Sequence, residues 1–411
     1  MRTCLAWRGR SQSGPAVRQP RQRAYRLHVF GPPTSRRQRQ RRRRRSLPLA
    51  GRSLPQRVIA LPSHNPTFNL WVGGCCHIAT DLRFGRRSLE DAITDSERGG
   101  DQGGPAFDWD IMLHLGDIKG GQDTPTDADG EQFLEQIASA RDHGREHFYN
   151  LLGNHDASGP DQEPQWWFRK WVDPTGENTA VSGVDNARRP YPVSGEYDHY
   201  SFEVGNLLVL MMGDRNDGGP PAGRASTRGY PAGRIFTETF EWWQRMVEAH
   251  PDRIVISCHH HMLEDTTVAS GLWEGVEGGY HGRMDDGAPE GASFIYFLDE
   301  TPHARAFEGY FQRHPRATDL WLGGHTHARP DDTYGGRSHI ETRWGAHFIN
   351  CAAITRHHAG RAPMTRLLTF TEGSPQVRVR CYLHTSDFAP EGWYAPAERT
   401  LTLSRPFTVN Q

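Results

Sequence analysis

The sequence predicts an α/β domain, and three observations predict it. Short apolar runs alternate with amphipathic stretches from Phe68 onward. Five of those runs end in a cluster of His, Asp, Asn or Cys, the place where open α/β sheets build their sites. The composition, 36% hydrophobic and 24% charged over 411 residues, is that of a globular chain and excludes fibrous and collagenous classes. No stretch approaches the roughly 18 consecutive apolar residues of a transmembrane helix, so no membrane partner is expected.

Taken in order, residues 1–62 form an arginine-rich segment of Arg, Pro, Gln, Ser and Gly that is expected to be disordered. Residues 1–80 hold 17 Arg and no acid, and the first acidic residue is Asp81. The remainder carries 31 cations against 49 anions, a net of −18 that the overall charge of −1 conceals. A block of like charge is ordinarily a solvated tail; as a functional element it would be an arm for nucleic acid or an anionic surface. Residues 63–385 read as the catalytic domain and 386–411 as a C-terminal extension packed on it or trailing it.

Strands are expected at 69–73, 111–115, 148–152, 200–204, 207–212, 253–258, 319–322, 347–350, 366–371 and 377–383, because each is a short β-branched or aromatic run bounded by turn residues. Helices are expected at 88–98, 130–141, 237–250 and 303–314 from their apolar periodicity. Ser88 with Asp91 opens the first as a capping box with a shorter acid, and Pro251 stops the third. The stretches 153–195 and 263–301 lack regular patterning and read as lids or pocket walls. Six scattered cysteines do not make a disulfide framework, which favours a reduced, cytoplasmic location; Cys76, Cys258, Cys351 and Cys381 read as core fillers.

The clusters are Gly74-Cys75-Cys76-His77, Gly116-Asp117, Gly153-Asn154-His155-Asp156, Cys258-His259-His260-His261 and Gly323-Gly324-His325-Thr326-His327. Polar residues at five strand ends can converge, and convergence is what a metal site requires. Imidazole, carboxylate and amide donors suit Zn, Fe or Mn, and His77, Asp117, Asn154, His259 or His260, His325 and His327, with Cys75, are enough donors for two ions sharing one carboxylate. The strand-end argument favours His259 over His260. Asp214-Arg215-Asn216, at another strand end, is explained equally by substrate contact or by turn chemistry.

In this order the clusters resemble the motifs of the calcineurin-like metallophosphoesterases, over roughly residues 68 to 383: His77 for Asp-x-His, Gly116-Asp117 for Gly-Asp-x-x-Asp, Gly153-Asn154-His155-Asp156, His259, and Gly324-His325-Thr326-His327. The resemblance implies a four-layer sandwich of two facing mixed β-sheets flanked by helices. It also implies two divalent ions bridged by Asp117, with His77 and His327 on the first and Asn154, His325 and His259 on the second. By the same resemblance His155 is the proton donor, and Asp156 holds its imidazole. The implied activity is hydrolysis of a phosphate mono- or diester by a metal-activated hydroxide, acting on a small phosphorylated substrate.

Two positions depart from the motifs: Cys75 replaces the first Asp, and Gly120 replaces the second Asp of Gly-Asp-x-x-Asp. A thiolate ligand would shift the first ion toward Zn or Fe, and Asp81 compensates only if its loop folds back. The alternative to an enzyme is a catalytically silent binding module with a degraded first metal site. A nucleic-acid protein working through residues 1–60 is a third reading, and the acidic remainder argues against it.

Overall fold

Alternation sets the sheets: in the strand Thr67–Gly73, Phe68, Leu70 and Val72 join one buried cluster while Trp71 joins another. The structure, a computed structural model, describes residues 66–121, 123–159, 162–215, 233–271, 295–298, 301–302, 305–356 and 362–409. The arginine-rich segment lies outside the described residues.

In chain order the strands are β1 Thr67–Gly73, β2 Ile111–His114, β3 Phe148–Asn150, β4 Ser194–Gly195, β5 His199–Val204, β6 Leu207–Met212 and β7 Gly233–Ile235. They continue with β8 Ile254–His259, β9 Ile295–Leu298, β10 Thr301–Pro302, β11 Leu320–Gly323 and β12 Ile340–Arg343. The last are β13 Ala346–Asn350, β14 Met364–Thr371, β15 Gln376–Leu383, β16 Gly392–Trp393 and β17 Arg399–Thr402. The helices are α1 Ser88–Arg98, α2 Asp127–Ile137, α3 Thr179–Ser182, α4 Thr237–Ala249 and α5 Ala306–Arg313.

The described residues are α/β, with two mixed seven-stranded sheets and a small three-stranded sheet of order β10-β9-β7. The first runs β16-β15-β14-β1-β2-β3, with β17 also on β15; β1, β2 and β3 are parallel and β14 is antiparallel to β1. The second runs β12-β13-β11-β8-β6-β5-β4, with β13, β11, β8 and β6 parallel. Parallel neighbours send their carboxyl ends to the same edge of a sheet, which is how distant clusters can meet.

Both sheets share one apolar core, in which Leu70, Val72, Ile111 and Leu113 of the first meet Val209, Met211, Ile256 and Leu322 of the second. Residues of opposite phase in the first sheet, among them Trp71 and Met112, pack with Leu89 and Ile93 of α1 and Phe133 of α2. Those in the second, among them Leu210 and Trp321, pack with Trp243 of α4 and Phe307 and Phe311 of α5.

All ten expected strands are present with ends shifted by at most two residues. The strands that sequence reasoning missed are β4, β7, β9, β10, β12, β16 and β17, each two to four residues long and too short to show a period. Helix α2 begins before its expected start because Thr126 and Asp129 form a capping box. At α1 the Ser88 hydroxyl does not cap the helix and donates instead to the Cys76 carbonyl, while Asp91 accepts the Arg87 N–H at 3.1 Å. The stretch 153–195 is more than a loop: it buries Trp167 and Phe168 in the core against α2 and carries α3. Residues 392–402 extend the first sheet, and Phe407 packs on Phe370 with ring centroids 5.7 Å apart. No helix among the described residues is long and apolar enough to cross a membrane.

The keystone of the second helix-packed core is Trp243, fully buried among Phe307, Tyr310, Phe311 and Trp321, with its indole N–H donated to Ser257 Oγ at 2.9 Å. Trp243→Ala is expected to destabilise the fold by about 3–5 kcal/mol in urea denaturation. A loss below about 1 kcal/mol would show a core that collapses around the gap.

Candidate metal centre

The loops after β2 and β3 can touch because glycines face each other there. A Cβ on Gly116, whose φ is +84°, would lie 2.6 Å from the Gly153 nitrogen and 2.8 Å from His260 Nδ1, and one on Gly153 would fall against the Asp117 backbone. Into this close approach Asp156 inserts its carboxylate. Oδ1 accepts the N–H groups of Ile118 (3.0 Å) and Lys119 (2.8 Å), and Oδ2 those of Asp117 (3.0 Å) and Gly153 (2.9 Å). Burial, and then the charge of Asp117, push the Asp156 carboxyl upward, against these donors.

Asp117 is held by this arrangement at the centre of a histidine cluster. Its Oδ1 accepts the His155 N–H at 2.8 Å. Its Oδ2 lies 3.1 Å from His260 Nε2, 3.6 Å from His77 Nε2 and 4.0 Å from His155 Nε2. In each of these rings the other nitrogen meets a backbone carbonyl: His260 Nδ1 that of Leu115 at 2.5 Å, His77 Nδ1 that of Lys119 at 3.3 Å, and His155 Nδ1 that of Gly121 at 2.8 Å. A carbonyl can only accept, so Nδ1 carries a proton and Nε2 is the atom turned toward Asp117, the orientation that metal-binding histidines take from their second-sphere partners.

Around this centre the structure gathers buried groups that could hold metal ions. Cys75, His77 and His327 form one; Cys75 joins Asp117 and His260 in another; His77 joins Asp117 and His155; and His260, His261 and His325 form a further one. His260 Nε2 is 3.1 Å from His325 Nδ1. Asp117 Oδ2 and the buried Asn154 Oδ1 make no hydrogen bond among the described residues, a state that a bound cation would relieve. The donor set therefore fits divalent ions. Four residues of the cluster, Cys75, His77, Asp117 and His325, have φ of 50°, 38°, 57° and 66°, in the left-handed region that costs a non-glycine residue energy.

Burial would raise the Asp117 carboxyl, but His260 and then His155 hold it well below the usual carboxylate range. Burial works against the charged form of His260, yet Asp117 brings it up to about 9. The Cys75 thiol is pushed up by burial and then by Asp117, so it needs a cation beside it to ionise. His114, buried next to the cluster, is driven down to about 3 by burial and by His260.

Three expectations meet a different arrangement in the structure. His260, not His259, faces Asp117, because Ile254, Ile256 and Cys258 point into the shared core and His260 continues that phase; the strand-end argument ignored the alternation. His259 instead meets Asp214 at 2.9 Å. Asp156 secures backbone, and it is the Gly121 carbonyl that meets the His155 Nδ1–H. Asp81 does not compensate for the lost motif carboxylates: it pairs with Arg86 at 2.9 Å and accepts from Thr355 Oγ1 at 2.6 Å. Sequence reasoning left His261 unassigned and Asp214 undecided; the phase of β6, in which Leu208, Leu210 and Met212 share a face, would have set Asp214 apart from the shared core.

No family model matches the chain, and no curated protein matches it. Among solved structures it is similar to "GAP50 the anchor in the inner membrane complex of Plasmodium", with a TM-score of 0.41 and 9% identity over 83% of this chain and 90% of that one. It is also similar to Vps29 of Chaetomium thermophilum, with a TM-score of 0.31 and 10% identity over 82% of this chain and 100% of that one.

The His260–Asp117 pair fixes a pH response of the ion-free chain. The folded value of about 9 for His260 lies above the roughly 6.5 of an unfolded histidine, so its contribution is complete below about pH 6.5 and is lost as pH rises through about 9. The Asp117 contribution, from a lowered value, is present above about pH 4 and is lost on further acidification. The thermal midpoint of chelator-treated protein should therefore fall between about pH 6.5 and 9, and His260→Gln should remove that slope. An equal slope in the variant would detach the pair from stability.

Proposed function

We propose that the chain is a metal-dependent hydrolase of phosphate esters, built as a four-layer sandwich of the metallophosphoesterase kind. The observation that carries this reading is Asp117, buried among His77, His155 and His260 with each Nε2 turned toward it and each Nδ1–H held by a backbone carbonyl. Cys75, His77 and His327 would hold one ion, Asn154, His260 and His325 the second, and Asp117 would be shared. Bound ions supply Lewis acidity toward a phosphoryl group and toward water.

The chain's own residues supply position and protons. The Gly121 carbonyl fixes the His155 ring through Nδ1–H and leaves Nε2 at the cluster, 4.0 Å from Asp117 Oδ2. A proton carried on that Nε2 is placed for transfer to a leaving alkoxide, a step ordinarily worth about 10²–10⁴-fold. The strained loop backbones restrict how far Cys75, His77, Asp117 and His325 can move, which keeps the constellation organised before substrate arrives. Outside its first 80 residues the chain has a net charge of −18, so a phosphorylated substrate binds against the general field and depends on cations at this centre. A small phosphate ester is the proposed substrate class.

The test pairs elemental analysis of the purified full chain with turnover of aryl phosphate mono- and diesters. About two ions at the Asp117 centre, hydrolysis of one ester class, a loss of at least about 10³-fold in Asp117→Asn and of about 10²–10⁴-fold in His155→Ala are expected. Metal-loaded protein that turns over neither ester would leave a binding module, a reading consistent with the high-lying Cys75 thiol and the missing carboxylate at position 120.

A further inference from the structure

The geometry points to a separate divalent-metal site formed by Asp214, His259 and His261, which fastens the chain on both sides of His260. All three side chains are fully enclosed. Asp214 Oδ1 lies 2.9 Å from His259 Nε2, and Oδ2 lies 3.0 Å from His261 Nδ1. Donors about 2.0–2.1 Å from a tetrahedral zinc are separated by roughly 3.3 Å, so these spacings are close to those of ligands around one ion. Two imidazoles and a carboxylate suit Zn, Fe(II) or Co(II).

A carboxylate receiving one N–H from each ring would have the same distances, but the directions differ. Both carboxylate oxygens, His259 Nε2 and His261 Nδ1 fall outside good hydrogen-bond alignment among the described residues, although each oxygen is close enough to a ring nitrogen that, against burial, the two imidazoles hold the Asp214 carboxyl well below the usual carboxylate range. An imidazole N–H lies in the ring plane on a fixed axis, so close approach without a bond means the axes miss the oxygens. Lone pairs converging on a cation between the atoms have that arrangement. The other side of the His259 ring is compatible with it: Nδ1 lies 3.1 Å from the His261 carbonyl. Donating its proton there leaves Nε2 unprotonated for an ion. The competing tautomer accepts the His261 N–H at Nδ1, at 3.0 Å, and places the proton on Nε2.

The site adjoins the Asp117 centre at His261, whose ring centroid lies 3.8 Å from that of His325, but Asp214 and His259 set it apart. Strands β6 and β8 are parallel neighbours with Met212 paired to His259, so Asp214 projects from the strand end beside the one that carries His259 and His261. Asp214 and His259 follow the phase of Leu210, Met212 and Val255, which face α4 and α5, whereas His260 follows the core phase toward Asp117. The Asp214 N–H also donates to the Leu152 carbonyl at 3.1 Å, linking the site to the β3 loop that precedes Asn154. An ion here would hold residues 259 and 261 and so set the direction of His260 between them.

The proposal does not depend on catalysis and is tested by binding. The full chain, stripped with chelator, is loaded with Zn²⁺ alone, gel-filtered and analysed for metal, with Co²⁺ spectra as a second readout and circular dichroism to verify folding. Asp214→Asn and His259→Gln should each bind about one ion fewer than the parent while retaining the ions lost in Asp117→Asn. Asp117→Asn should retain the Asp214 ion and its Co²⁺ bands. The proposal is overturned if folded Asp214→Asn and His259→Gln bind as much Zn²⁺ as the parent, or if Asp117→Asn binds none. If both Asp214-site variants fail to fold, the Co²⁺ spectrum of Asp117→Asn decides: nitrogen- and oxygen-ligated cobalt supports the site, and free aqueous cobalt overturns it.

Discussion

Four backbone N–H groups from two loops converge on the Asp156 carboxylate, and the orientation of the whole candidate centre depends on that cluster. Hydrogen bonds to a charged acceptor are worth about 1.5–3 kcal/mol each, enough together to hold the sharp turn after β2 against the strain at Asp117. Three of the donors are successive, from Asp117 to Lys119, and such a run forms a concave nest for an anion. With the turn fixed, Asp117 faces inward, the Lys119 and Gly121 carbonyls face the rings of His77 and His155, and the Leu115 carbonyl faces His260. Backbone therefore sets imidazole direction at each of these three rings, and the side chain that sets the backbone is itself outside the ligand groups.

The two sheets contribute unequally to that centre. Loops of the first bring Cys75, His77, Asp117, Asn154 and His155, and loops of the second bring His260, His325 and His327. They join through backbone bonds as well as through the shared core: Asp214 N–H to Leu152 O at 3.1 Å and Ile354 N–H to Gly74 O at 3.0 Å. An electrostatic pair between Asp117 and His260 therefore spans the two sheets. Without ions it acts as an internal salt bridge, and its desolvation is offset by the Leu115 carbonyl and the neighbouring imidazoles.

Much of this was legible in the sequence because strand ends and ligand types are local properties. The ten expected strands and the grouping of Cys75, His77, Asp117, His325 and His327 follow from apolar runs terminated by Gly and polar residues. What was misread required a phase rather than a position. Counting to the end of β8 selects His259, while following Ile254, Ile256 and Cys258 two residues at a time selects His260. The same counting would have put Asp214 on the His259 side. The role of Asp156 could not be read locally, since its partners at positions 117–119 lie 37 to 39 residues away and bond through backbone, which carries no sequence signature.

Gly120 shows why one motif departure is not a simple loss. The loops after β1 and β2 lie against each other, bonded from His77 N–H to Asp117 O at 3.1 Å and from Ile78 N–H to Ile118 O at 2.9 Å. A Cβ at position 120 would fall onto the Ile78 carbonyl, so restoring an acid there would part the loops that hold His77 and Asp117 together. Close backbone apposition leaves no room for a side chain at this position. Cys75 sits on the same paired loop, its N–H bonded to the Gly116 carbonyl at 2.8 Å and its sulfur shared by the groups containing His327 and Asp117. Relative to the motifs that the sequence resembles, the two departures thus belong to one local geometry, in which a compact thiol at the β1 end and a glycine at the β2 loop stand where those motifs have carboxylates, whose combined charge this buried, tightly paired site would have to neutralise.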